Sequence, residues 1–442
     1  MVDRHPPRRE RWAWYLYDFG NSAYAAVVLL AVYAAYFKGE VVGGARGSWL
    51  WGLSVGIAMF VVAVTSPVLG AIADFSGSKK RFLLFFTSMA CAFTGLLFFA
   101  RQGTILAGML FFILAEIGYR SSQVFYNSLL PEVSTPEDIG RVSGTGWAIG
   151  SAGGILCLLI ILPLIMFIGG TLVVRASLVI TALFFAGFAV PLFTGLQERT
   201  EPKPLPEGSS YLTVGFERLW KTLKSVRHFR EFAKFVVAFL IYNDGIMMAL
   251  DFAGIIGAVL FGMDQQQLII FMIVVQVASI GGAFFGGLVA DWIGTKRSLL
   301  VHLVLMIAVV TWMFFVQTLT QFFLIGALAG FALTGVQSVS RTAVASFSPE
   351  GRNAEFYGFF AVAGRTSSFI GPTLYGWIAA WAASFYVQRG QAVLLAEQNG
   401  QRLAILSINL FLLIGLVVLL FVNENQALDA AKSPPEEAGS LG

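Results

Sequence analysis

Gly70-Ala-Ile-Ala-Asp74-Phe-Ser-Gly77-Ser-Lys79-Lys80 and Gly287-Leu-Val-Ala-Asp291-Trp-Ile-Gly294-Thr-Lys296-Arg297 are two copies of one pattern, G-x-x-x-D-x-x-G-x-basic-basic, with their aspartates 217 residues apart. Each copy follows a long apolar block. A second pair repeats at nearly the same offset: Pro131 and Pro349, 218 residues apart, each ends an apolar block and is followed by glutamate, and Arg141 or Glu355 comes within about ten residues. Two independent features at nearly one spacing indicate an internal duplication, the build of parallel-repeat transporters.

The surroundings of the repeat predict the solvent. Of 442 residues, 57% are hydrophobic and only 12% charged, and mean hydropathy is +0.77. A soluble fold of this size needs a charged surface, for which roughly 25% charged residues is usual. The apolar residues fall in blocks of about 20, the length that carries a helix through roughly 30 Å of hydrocarbon. Lipid offers the backbone no hydrogen-bond partners, so the blocks must be helices. They lie at about 13–37, 48–73, 82–101, 104–129, 142–168 and 172–195, then at about 233–261, 266–290, 298–317, 320–345, 353–383 and 402–422. The expected fold is an all-α membrane protein, with twelve transmembrane helices in two pseudo-symmetric six-helix bundles. The boundaries expected are 1–198 for the first bundle, 199–232 for a cytoplasmic linker, 233–423 for the second bundle and 424–442 for a disordered cytoplasmic tail.

Charge placement predicts orientation. About 20 of the 29 lysines and arginines fall in the tails, the linker and the loops on the side of the repeated pattern. The opposite loops hold only Lys38, Arg46, Arg101, Arg389 and Arg402. By the positive-inside rule both termini are cytoplasmic. Trp12, Trp14, Trp49, Trp51, Trp377 and Trp381 fall near helix ends, as interfacial anchors do. The N-terminal arginines precede an apolar run that contains Asp18 and Asn21 and shows no cleavage site, which reads as a retained first helix. In the linker, Pro202, Pro204 and Pro206 precede an amphipathic pattern with Leu212, Phe216, Leu219, Leu223 and Val226 on one face. It reads either as a helix lying on the anionic leaflet or as an ordinary solvated one.

The chemistry excluded is equally informative. A pI near 9.0 is accounted for by loop charge, not by a nucleic-acid surface. Cys91 and Cys157 sit in apolar blocks, and His5, His228 and His302 are scattered, so neither a metal site, a catalytic histidine nor a cofactor is expected. No G-x-x-x-x-G-K-[ST] run is present; a proton or other ion gradient is the expected energy source.

The repeated pattern has a physical rationale. Its glycines permit a tight helix–loop–helix turn and close packing. Its aspartate can cap a helix or accept from an arginine. Two readings follow: a conformational latch formed by Gly70, Asp74, Gly77, Lys79 and Arg141 with Gly287, Asp291, Gly294 and Lys296, or a device that only fixes topology. The pattern resembles the loop between helices two and three of the major facilitator superfamily, although Phe75 and Trp292 stand where that family usually has arginine. A narrower resemblance lies in Trp14-Tyr-Leu-Tyr-Asp18-Phe-Gly-Asn21-Ser22-Ala-Tyr24, Phe125-Tyr-Asn127-Ser-Leu-Leu-Pro131, Gly140-Arg141-Val-Ser143-Gly144, Tyr242-Asn243-Asp244-Gly245 and Ala354-Glu355-Phe-Tyr357-Gly358. Together these are similar to the vacuole-effluxer-like branch, the unknown major facilitator family. The resemblance implies a transporter whose helices one, four, seven and ten line a central cavity, and whose fungal relatives export amino acids from the vacuole.

Charged side chains inside a membrane helix are rare and usually functional. Glu116, Arg120, Gln123 and Asn127 share one face of helix four. They line a cavity, or Glu116 and Arg120 form a local neutralising pair. Helix one supplies Asp18, Asn21 and Ser22. Helix seven supplies Tyr242, Asn243, Asp244 and Asp251, helix ten Thr334, Gln337 and Arg341, and helix eleven Arg365. Arg365 pairs with Asp18 or Asp244, or meets a substrate carboxylate. The expected substrate/coupling set is Asp18, Asn21, Glu116, Arg120, Gln123, Asn127, Tyr242, Asn243, Asp244, Gln337, Arg341 and Arg365, with Glu116 and Asp244 as protonation candidates. The expected function is alternating-access transport of a small solute, best matched by proton-coupled amino-acid efflux across a prokaryotic inner membrane by a monomer. The alternatives are a lipid or lipid-linked-solute flippase on the same fold, and a membrane-embedded transferase.

Overall fold

The structure is a computed structural model that describes residues 7–75, 77–135, 139–199, 210–214, 217, 220, 229–348, 356, 360, 364 and 369–432. The described residues are nearly all helical. The first six long helices are α1 (Arg8–Val42), α2 (Gly44–Phe75), α3 (Lys79–Leu96), α4 (Ile105–Ser128), α5 (Ile139–Phe167) and α6 (Gly170–Gly195). The second six are α7 (Arg230–Phe261), α8 (Gln265–Ile293), α9 (Thr295–Phe315), α10 (Leu319–Phe347), α11 (Ile370–Gln388) and α12 (Val393–Leu420). Among the described residues, 11 helices are long and apolar enough to cross a membrane. The exception is α11, where Gly371, Pro372, Thr373, Tyr375, Gly376, Trp377 and Trp381 dilute the aliphatic content.

Which helices pack together reveals a duplication by swap. In the first half α1 packs on α5 and α6, α4 on α2 and α3, α3 on α6, and α5 on α6. Adding six to each label gives the packing of the second half: α7 on α11 and α12, α10 on α8 and α9, α9 on α12, and α11 on α12. The boundary between the halves obeys the same exchange, because α2 packs on α11 and α5 on α8. The outward faces carry large apolar side chains such as Phe85, Leu106, Leu183, Phe284 and Leu413, as lipid-facing helices require.

Two expectations are corrected, and one helix departs from regular α geometry. Trp14 and Trp51 are buried rather than interfacial; their indoles donate to Tyr126 O at 3.2 Å and Asp251 O at 2.8 Å, using the one polar atom of each ring inside the bundle. The tail does not begin disordered at 424. Asn423 caps the N-terminus of a further helix, α13 (Glu424–Lys432), by accepting from Gln426 N at 3.2 Å, a usual N-cap role for Asn. Ala427 and Ala431 are buried where α13 packs on α7 and α10. Helix α1 is also not uniformly α-helical: Ala25–Ala31 and Phe37–Val42 are π-helical, a geometry that concentrates at functional sites. Most of the linker pattern, including Phe216, Leu219, Leu223 and Val226, lies outside the described residues. Leu212 and Trp220 within it are exposed.

Candidate functional site

The two halves are tied together at one end of the bundle. Among the described residues, the hydrogen bonds that join them run from Lys38 Nζ to Glu397 Oε2 (2.6 Å), Trp51 Nε1 to Asp251 O (2.8 Å), Gln265 Nε2 to Val32 O (3.3 Å), Thr373 Oγ1 to Gly52 O (3.5 Å) and Gln401 Nε2 to Ser48 Oγ (2.7 Å). All fall where α1 ends and α2 begins. Glycines let backbones touch there: a Cβ on Gly376 would lie 2.5 Å from Ser48 O, and one on Gly254 2.5 Å from Leu30 O. At the opposite end, which carries the repeated pattern, Gly70 and Gly287 have nothing within 4 Å of such a Cβ.

Polar side chains trace a path between these ends. Down α4, Glu116 is buried, Arg120 and Gln123 are half-buried and Asn127 is exposed. Down α10, Thr334 is buried, Gln337 half-buried and Arg341 exposed. Exposure thus rises in both halves toward the pattern end, while the hydrogen bonds between the halves given above lie at the other end. The walls are held by matching amides: Gln123 Nε2 donates to Asn21 Oδ1 at 3.3 Å, and Gln337 Nε2 to Asn243 Oδ1 at 3.0 Å. Each bond links the first helix of a half to the fourth. Asn21 donates to Asp18 Oδ1 at 3.5 Å and Asn243 to Gly364 O at 3.3 Å. Arg341 acts electrostatically on Asp18 across the cavity.

Other expected site residues lie deeper. Glu116 accepts from Arg120 Nε at 2.7 Å, so the local pair forms. Tyr242 is fully buried and shares a 2.7 Å hydrogen bond with Ser340; it braces α7 against α10 instead of facing the cavity. Asp244 is 2% exposed and accepts from Gly371 N at 3.1 Å, joining α7 to α11. Arg365, with Glu355 and Tyr357, lies outside the described residues, as do the side chains of Asp74, Arg141 and Asp291.

The repeated pattern builds a clasp within each half. Gly77 (φ 54°) and Gly294 (φ 90°) make the turn, in a backbone region that favours glycine. A carboxylate from just beyond the sixth helix then caps the third: Glu198 accepts from Lys79 N at 2.7 Å and Lys80 N at 3.3 Å. In the second half Glu424 accepts from Lys296 N at 3.1 Å. Anions are favoured at a helix N-terminus. In return Lys80 Nζ donates to Leu196 O (2.5 Å), and Lys296 Nζ to Leu420 O (2.9 Å) and Val422 O (2.6 Å), where helix C-termini leave carbonyls unpaired. Lys79 instead turns toward Ser128 O (3.2 Å) and Glu132 (3.4 Å). The first turns of α1 and α7 join the same clasps: Arg199 forks onto Glu10 at 2.7 Å through both terminal nitrogens, and Asn423 N donates to Glu231 at 2.6 Å.

Sequence reasoning did not single out Glu10, Glu198, Glu231 and Glu424. The available signal was the position of Glu198 and Glu424, each shortly after the last helix of its half. Lys38 and Glu397 were likewise legible only as loop charges, because nothing local shows that residues 359 apart meet.

The family described as "Vacuole effluxer Atg22 like" matches residues 51–432. The chain is 28% identical to the uncharacterized MFS-type transporter YxiO of Bacillus subtilis (strain 168), over 95% of this chain and 96% of that protein. It is 27% identical to autophagy-related protein 22 of Yarrowia lipolytica (strain CLIB 122 / E 150), over 54% of this chain and 45% of that longer protein. Among solved structures, it is similar in fold to a bacterial homolog of the human lysosomal transporter Spinster in an inward-facing, occupied conformation (TM-score 0.71, 14% identity, 97% of each chain). It is also similar to the nucleoside transporter NupG (TM-score 0.69, 14% identity, 93% of this chain and 98% of that one). The swap-symmetric halves and the match across most of the chain lead to one conclusion: the protein belongs to the vacuole effluxer Atg22-like family of MFS-type transporters.

Proposed function

We propose that the chain is a proton-coupled exporter of amino acids or closely related small solutes, working as a monomer in a prokaryotic inner membrane with both termini cytoplasmic. The observation that carries this reading is the matched polar path on α1, α4, α7 and α10, open at one end and sealed at the other. Lysines and arginines crowd the open end, so by the positive-inside rule that end faces the cytoplasm and the structure is the inward-open form. The solute enters among Asp18, Asn21, Gln123, Asn127, Asn243, Gln337 and Arg341. Amides and charges of both signs suit a zwitterion, whose ammonium meets Asp18 and whose carboxylate meets Arg341 or Arg120.

Transport needs no covalent step. Residues 1–198 and 233–423 rock about the site, breaking the ties of Lys38, Trp51, Gln265, Thr373 and Gln401 while the pattern end closes. The intact clasps at Lys79 and Lys296 let each half move as one body. Protonation of a buried carboxylate, Glu116 or Asp244, shifts the balance between the two forms. A thermal-shift screen of the purified protein against amino acids, dipeptides, organic acids and lipids, followed by flux in proteoliposomes, tests the reading. Stabilisation by an amino acid and its pH-driven flux are expected, with Glu116→Gln or Asp244→Asn abolishing the response to pH. Flux unchanged by both substitutions would refute proton coupling at these carboxylates, and uptake of headgroup-labelled lipid alone would assign a flippase.

A further inference from the structure

Helix α11 carries on its outer face a continuous row of rings that neither the solute path nor the seam between the halves uses. Trp377, Trp381 and Phe385 recur every fourth residue, a spacing that places them one above the other on a helix. The rings lie nearly parallel. Trp377 and Trp381 have centroids 6.2 Å apart and planes 19° apart, and Trp381 and Phe385 5.8 Å and 17°. Arg389, one turn further, ends the row with its guanidinium carbon 4.2 Å from the Phe385 centroid. Trp377 and Trp381 are 50% and 52% exposed, whereas Pro372, Tyr375, Gly376 and Ala379 on the other face of α11 are buried.

Anchoring at the membrane interface does not account for the row. Interfacial tryptophans sit at headgroup level. Arg389 marks that level at the end opposite the repeated pattern, and Trp377 lies 12 residues before it. At 1.5 Å of rise per residue the separation is about 18 Å, against a hydrocarbon half-thickness of roughly 15 Å. The rings therefore run the depth of one leaflet, from headgroup to midplane. Among the described residues Arg389 makes no ion pair. Other basic side chains at that end are spent inside the protein: Lys38 on Glu397, and Arg402 on the carbonyls of Phe314 and Val316. Exposed Val387, Val393 and Leu394 adjoin Arg389 in the chain, so its charge stands among apolar side chains.

We propose that this face is the docking site of one anionic phospholipid, its phosphate on Arg389 and one acyl chain laid along Phe385, Trp381 and Trp377. A guanidinium binds phosphate through two parallel hydrogen bonds while its plane stays on an aromatic ring, which is how Arg389 already sits on Phe385. Stacked rings offer the chain a wide, rigid apolar surface at little cost in side-chain entropy, and the length of the row matches a chain reaching the midplane. A second copy of the protein fits this face poorly. Two copies related by a two-fold axis along the membrane normal would bring Arg389 against Arg389 at one depth, a like-charge contact.

The test uses the full chain in nanodiscs of phosphatidylcholine containing phosphatidylglycerol. Native mass spectrometry counts the lipids retained on release, and tryptophan quenching by lipids brominated in their acyl chains reports chain contact. Phosphatidylglycerol should be retained about fivefold over phosphatidylcholine, the gain of one arginine near an anionic headgroup. Arg389→Gln should abolish that preference and Arg389→Lys should keep most of it. Brominated phosphatidylglycerol should quench the native protein more than brominated phosphatidylcholine at equal mole fraction. That excess should vanish in Arg389→Gln and in the double variant Trp377→Phe with Trp381→Phe. These side chains point out of the bundle, so each variant should elute and melt like the native protein in phosphatidylcholine alone. Equal retention of the two lipids by the native protein, a preference that survives Arg389→Gln, or excess quenching that survives loss of both tryptophans would overturn the assignment. A native dimer that Trp381→Leu dissociates would overturn it too, and would give the face to a second copy.

Discussion

The two ends of the bundle are made from similar sequence and do opposite things. At one end Gly52, Gly254 and Gly376 bring backbones of the two halves into contact, reinforced by the Lys38–Glu397 pair. At the other, Gly70 and Gly287 face open space, and the hydrogen bonds of Lys79 to Glu198, Ser128 and Glu132 and of Lys296 to Glu424, Leu420 and Val422 stay within one half. The difference teaches that Gly52, Gly254 and Gly376 mark where the two halves come together, whereas the described contacts of the repeated clasps tie helices within one half.

The contrast is easiest to break with a side chain at the closed end. A Cβ on Gly376 meets the Ser48 carbonyl, and backbone there cannot yield. Gly376→Val should abolish closure and flux, whereas Gly70→Ala or Gly287→Ala should leave the stability of this form unchanged or raise it by at most about 1 kcal/mol of helix propensity. Equal damage at both ends would remove the distinction. Next in size is Lys38→Ala, which strands Glu397 with its side chain only 11% exposed. Losing one partner of a buried pair costs about 3 kcal/mol, enough to move the equilibrium away from the closed form by on the order of 100-fold. Spin-label distances across that end would show the shift, and Lys38→Ala with Glu397→Ala should recover much of it.

The smallest effect compares the clasps. Glu198→Ala and Glu424→Ala should each cost about 1 kcal/mol, as other cap losses do. The first should cost more, because Glu198 accepts two backbone donors and Glu424 one. Melting curves of the two variants check the order, and a reversed order would mean that α13, which carries Glu424, stabilises more than its cap contact shows.

Much of this architecture was legible in sequence. Helix length and number follow from apolar blocks, because lipid permits the backbone no other state. The duplication follows from the spacing of Asp74 and Asp291, and the cavity stripe from the 4-3-4 spacing of Glu116, Arg120, Gln123 and Asn127. What stayed hidden depends on contacts between residues far apart in the chain. Trp14 and Trp51 read as interfacial because position along a helix does not disclose which face is buried. Tyr242 read as cavity-lining because a polar residue on a lining helix can equally face inward to a partner such as Ser340. Asp251 was visible as a charge, but the electrostatic effect between it and Arg120 depends on how the two halves come together.

Alternation between the two ends can be tested most directly by a reversible tether. A Cβ on Gly56 lies 3.4 Å from Thr373 Cβ, close to the roughly 3.5–4.5 Å of a disulfide. Gly56→Cys with Thr373→Cys, in a chain whose Cys91 and Cys157 are replaced by serine, should therefore cross-link α2 to α11 on oxidation. The expected result in proteoliposomes is that oxidation stops flux of the solute identified by the screen and a reductant restores it. Full flux through the cross-linked protein would show that this end never opens, and would contradict alternating access.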